Sequence, residues 1–168
     1  MPARTVGHHR RVPLPDATEP TEPCPGCGAV LVRVPDGGPW HPGASASCSR
    51  LFEVTLRGLR EEISAEPATA ATVRLADAAY DAQHPAPGDR AALLTALARL
   101  GRALREDPPP AGAAAPRAWR TTVADVAADL DVIDLAVLVE AWARAVHADW
   151  SSRDDGTPLT SSLRPAER

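Results

Sequence analysis

The sequence has no lysine and no asparagine, one glutamine (Gln83), one tyrosine (Tyr80), one phenylalanine (Phe52) and three cysteines in 168 residues. Each scarcity removes a class of chemistry. Without lysine there is no Schiff base, no lysine general base and no phosphate-binding Gly-x-x-x-x-Gly-Lys loop. With one glutamine and no asparagine, side-chain amides can furnish little of an oxyanion hole. Three cysteines cannot all pair within one chain, and in a reducing compartment they stay thiols, available to a soft cation. No run of about 18 apolar residues exists that could form a membrane-crossing helix.

All 18 basic residues are arginine, set against 22 acidic ones for a formal net charge of −4. That balance gives no overall field to draw nucleic acid or an anionic membrane. Residues 1–15 carry Arg4, Arg10, Arg11, His8 and His9 without the apolar core of a secretory signal, so a cytoplasmic protein is expected. A regulator whose arginine-bearing arm reaches nucleic acid is disfavoured by the acidic balance, whereas a small-molecule or protein partner is compatible with it.

About a fifth of the residues are alanine, and the remaining apolar set is mainly Leu and Val with four Trp. Alanine favours helix but fills little volume, so close-packed helices around a thin core are expected, a core that a metal would help to hold. Residues 1–23, rich in proline and charge, have the pattern of a disordered arm. A single helical domain is expected over residues 24–150, with a flexible tail at 151–168.

Within that domain, Ala29–Val34 is β-branched and short, and a Pro/Gly reversal follows at 35–39; together they predict one strand and a small hairpin. Ser45 or Ser47 caps a helix whose face carries Cys48, Phe52, Leu56, Leu59 and Ile63. A second helix is expected over about residues 68–83, burying Val73, Ala76 and Tyr80 and ending at His84-Pro85. A third, capped near Asp89, carries Leu93, Leu97, Leu100 and Leu104 and stops before Pro108. After a Pro/Ala linker, Thr121 or Thr122 caps a short helix, and Asp131 or Asp134 a longer one through Leu138, Trp142, Val146 and Trp150. The expected fold is mainly α, a four- to five-helix bundle with a small N-terminal Cys-rich zinc knuckle or short β-hairpin at residues 24–48.

All three cysteines lie in one stretch: the turn Cys24-Pro25-Gly26-Cys27-Gly28, then Cys48 at the start of a helix. Thiolate and imidazole are the donors a borderline d¹⁰ cation prefers, and this turn bends two sulfurs toward one point, which makes Zn²⁺ the expected cofactor. Gly26 and Gly28 leave amides free to donate to the sulfurs. His41 and His84 both qualify as fourth ligand, and spacing does not choose between them. Either a closed structural site or a zinc-dependent enzyme with an open position and His41 or His84 as acid/base satisfies the pattern. A redox Cys-x-x-Cys pair lacks its βαβ setting, and a Cys48 nucleophile beside a histidine leaves two cysteines unexplained. Asp77 and Asp81, one turn apart near His84, are candidates to orient its ring. His147 is expected to be a surface or half-buried residue rather than a ligand.

The CPGCG start, His41 ahead of Gly43-Ala44-Ser45 and Cys48, and Tyr80-Asp81-Ala82-Gln83-His84-Pro85 resemble an uncharacterised family of small bacterial proteins, a domain of unknown function. The resemblance spans roughly residues 24–150 and implies that both His41 and His84 belong to the shared pattern. It implies no activity. Two positions depart from it: Ser49, where the family carries an aromatic after the third cysteine, and His147, where a bulky apolar residue is expected.

Overall fold

In the computed structural model the described residues are 19–34, 40–62, 66–110, 115–116 and 118–152. Most of the expected arm, with His8 and His9, lies outside them, as do the 35–39 reversal, Ile63 and residues 153–168. Strand β1 (Thr21–Pro23) pairs antiparallel with β2 (Val30–Val32), and helices α1 (Ala46–Glu62), α2 (Pro67–Gln83), α3 (Arg90–Leu104), α4 (Val123–Ala128) and α5 (Leu135–Ser151) follow. None of these helices is long and apolar enough to cross a membrane.

The hairpin differs from the expected one in its partner strand. Instead of turning back after Val34, β2 pairs with residues upstream, Thr21 opposite Val32 and Pro23 opposite Val30, so part of the expected arm is strand and the Cys-x-x-Cys turn is the hairpin loop. The physical reason is local. Cys24 N–H donates to Ala29 O and Gly28 N–H to Cys24 O, both at 2.9 Å, and Gly28 takes φ +76°, a left-handed conformation open to glycine at little cost. Glu22 then ties the hairpin to α1, accepting the Ser47 hydroxyl at 2.6 Å.

The helix starts follow their caps. Ser45 Oγ accepts the Cys48 amide at 3.1 Å, Asp89 that of Ala92 and Asp134 that of Ala136, both at 2.8 Å, and Thr122 forms a capping box with Asp125. The third helix ends by an unexpected device. Arg105, not a glycine, takes the left-handed position (φ 59°), and Glu106 N–H bonds Gly101 O at 2.9 Å as the chain folds back over the bare Cα of Gly101.

α2 is the central helix, packed against α1, α3 and α5, while α4 lies against α1 and α5. Its small face of Ala76, Ala79 and Ala82, all buried, admits the large rings of Trp142 and Trp150 from α5. Those rings carry N–H groups that need partners inside the core. Trp150 finds Ala82 O at 3.0 Å, and Trp142 finds Gln83 Oε1 at 3.2 Å. Gln83, the lone side-chain amide, is itself fully buried and passes the network on to Thr121 O at 2.8 Å. The His147 side chain is only 12 % exposed, its Nδ1 3.3 Å from Glu106 Oε2 and its Nε2 2.8 Å from Asp107 O.

Candidate metal centre

Three separate pieces of chain deliver the candidate ligands: the hairpin loop, the first turn of α1 and the residue that ends α2. Their ligand atoms, from Cys24, Cys27, Cys48 and His84, all lie within 4.8 Å of one another and all four residues are buried, so the group can hold a metal ion. Cys27 Sγ is 3.8 Å from Cys48 Sγ, and Cys48 Sγ is 3.4 Å from His84 Nε2. His84 is presented by its own helix. Its Nδ1 lies 2.8 Å from Tyr80 O, a carbonyl that can only accept, so Nδ1 carries the hydrogen and the Nε2 lone pair faces the sulfurs.

His41 is not in this group. Its ring stands edge-on to His84 with centroids 5.9 Å apart and edge-on to Tyr80 at 5.1 Å. Its Nδ1 accepts the Gly43 amide at 3.3 Å, and its Nε2 lies 3.5 Å from Asp81 Oδ1. The carboxylates expected to orient His84 are engaged elsewhere: Asp81 with His41 and Arg99, Asp77 with Arg60 at 2.6 Å. A backbone carbonyl one helical turn away does that work, because His84 closes α2 and its side chain folds back along its own helix.

Two glycines let the pieces meet. A Cβ on Gly43 would lie 2.2 Å from His84 O, and one on Gly26 would lie 2.5 Å from Gly43 O and 2.6 Å from His84 Cδ2. Neither position tolerates a side chain without moving backbone. Trp119 adds a fastening, its indole N–H donating to Gly26 O at 2.9 Å.

Donors to the sulfurs come from other residues than expected. Ser45 N–H points at Cys24 Sγ from 3.4 Å, and the amides of Cys27 and Ala29 support Cys24 and Cys27, whereas the Gly28 amide is used by the turn itself. Three sulfurs this close cannot ionise independently. Hydrogen bonds from the Cys27 and Cys48 thiols hold Cys24 well below the usual thiol range. Donating to Cys24 pushes Cys27 up, and donating to both neighbours, with burial, pushes Cys48 up. A cation among them would allow all three to be thiolates together.

Tyr80 is the central residue that sequence reasoning left in the core. It stacks on Phe52 (centroids 4.0 Å, planes 9° apart), tilts against His84 at 4.1 Å and sends its hydroxyl to Ser49 Oγ at 3.3 Å, with Cys48 Sγ at 3.7 Å. Burial, then the neighbouring Cys48, pushes its phenol above the ordinary range, so it stays a donor. Ser49 is thus a buried acceptor for that hydroxyl. The usable signal was spacing: the only tyrosine lies one helical turn before His84.

Fold and site together define a small helical bundle closed at its N-terminal edge by a buried Cys₃His group. The chain belongs to a family of unknown function (DUF5946), whose model matches residues 22–115 and 101–151. Neither a curated protein nor a solved structure matches it.

Proposed function

We propose that Cys24, Cys27, Cys48 and His84 hold one zinc ion in a closed structural centre, and that the protein is a binding or accessory module whose knuckle that ion clamps to the bundle. The donor spacing carries this reading. A tetrahedron with Zn–S of about 2.3 Å and Zn–N of about 2.0 Å has sulfur–sulfur edges of about 3.8 Å and sulfur–nitrogen edges of about 3.5 Å. The Cys27–Cys48 sulfur edge is 3.8 Å and the Cys48–His84 sulfur–nitrogen edge 3.4 Å, and all four donor atoms lie within 4.8 Å of one another. Three sulfurs and one nitrogen suit zinc rather than magnesium or calcium, which take oxygen. Four protein donors fill every tetrahedral position, which favours a structural ion over an enzyme with an open position and His41 as acid or base.

The test is elemental analysis of protein purified under reducing, chelator-free conditions. About one zinc per chain is expected, lost together with cooperative unfolding in Cys48→Ser and His84→Ala and kept in His41→Ala. Absence of stoichiometric metal from the wild type sinks the reading.

A further inference from the structure

Beside the metal centre a cleft of about 260 Å³ opens between the His41–Pro42 corner, the end of α2 and the outer face of α3. Pro42, Pro85, Leu93 and Ala96 make an apolar wall, and Asp81 and Arg99 make the polar one. The two Asp81 oxygens are both engaged, Oδ1 3.5 Å from His41 Nε2 and Oδ2 2.9 Å from Arg99. Asp81 therefore acts as an anchor: it fixes the guanidinium through a single N–H. Arg99 makes no other hydrogen bond among the described residues, so most of its five donors remain for a guest.

A pre-oriented guanidinium at the lip of an apolar-walled cleft is the arrangement that takes a carboxylate on a short hydrocarbon body. We propose that this cleft binds a short-chain aliphatic carboxylate, its oxygens on the free edge of Arg99 and its chain against Leu93 and Pro85. Size and charge both narrow the class. The volume falls below the roughly 300 Å³ at which drug-sized sites begin, so the guest has few heavy atoms. Asp81 already offsets the one fixed cation, so a monoanion with an apolar body is better matched than a phosphate dianion.

The experiment is titration of the full-length, metal-loaded protein with butyrate, followed by calorimetry and by amide NMR shifts, with inorganic phosphate as the comparison. Saturable butyrate binding is expected, with shifts confined to α3 and the His41–Ala44 corner. Arg99→Gln weakens it about tenfold or more by removing a charge-assisted pair. Ala92→Phe, an exposed position on the cleft wall, abolishes it by filling the space while leaving Arg99 in place. Metal content and far-UV circular dichroism are read on each variant, so loss of this site is distinguishable from loss of the metal or of the fold. No saturation in the wild type, undiminished binding by Arg99→Gln, or phosphate bound as tightly as butyrate overturns the proposal.

Discussion

The carbonyl of Tyr80 receives both the backbone N–H of His84, at 3.0 Å, and its ring Nδ1, at 2.8 Å. One helical turn thus fixes where His84 stands and which nitrogen it offers. The hydroxyl at the other end of the same tyrosine reaches Ser49 at 3.3 Å on α1. Replacing Tyr80 by Phe keeps the carbonyl and the stacking and removes only that hydroxyl. The expected result is a fully metal-loaded protein destabilised by about 1 kcal/mol, read by thermal unfolding.

Gly43 and Gly28 separate two roles of glycine. At Gly43 a Cβ would meet His84 O at 2.2 Å, so Gly43→Ala must push the knuckle off α2. Its cost is expected to exceed about 3 kcal/mol, with a loss of metal affinity seen by competition with a chromophoric chelator. At Gly28 nothing lies near a Cβ and only the φ of +76° resists. Gly28→Ala is therefore expected to cost about 1–2 kcal/mol and to keep its metal.

Gln83 joins α2 to α5 and to the chain entering α4 through Trp142 Nε1 and Thr121 O. Gln83→Leu fits the volume but leaves a buried indole N–H and a carbonyl unpaired. The expected loss is about 2–4 kcal/mol by denaturant titration, with metal stoichiometry unchanged. Gln83→Glu tests the same point differently, because the carboxylate still accepts from Trp142 and no longer donates to Thr121.

Asp77 gives the acid limb of the stability curve a component of predictable sign. Burial raises its carboxyl pKa, and Arg60 at 2.6 Å offsets this only in part. The folded state therefore binds this proton more tightly than the unfolded chain. Its stabilising contribution is complete below the unfolded value and is lost as pH rises through the raised folded one. Asp77→Asn removes that component, so the difference in unfolding free energy between variant and wild type changes across this window and is flat at higher pH. A carboxyl resonance of Asp77 titrating at or below an ordinary aspartate contradicts this.

Much of this was legible because the deciding features are local. Asp89, Thr122 and Asp134 cap the helices they were expected to cap, and Leu97, Leu100 and Leu104 bury one face of α3 as their spacing requires. The three cysteines were identifiable from residue type alone. What was not legible depends on chain segments meeting in space. That His84 rather than His41 lies with the three cysteines goes with the close approach of Gly43 to His84, a contact across 41 residues that no spacing encodes. The strand paired with β2 was missed because Pro23 and the neighbouring charges read as an arm, although a short edge strand accepts a proline at its end. Asp77 and Asp81 were drawn to arginines on α1 and α3, whose positions depend on helix packing.

The order of the donors along the chain has a consequence for biosynthesis. Cys24, Cys27 and Cys48 are all translated before His84, which follows the last of them by 36 residues. Until α2 has emerged and folded back, an ion bound at this site would have at most three of these four donors, on a partly made chain. Completion of the four-donor group therefore requires that the second helix has been made and docked.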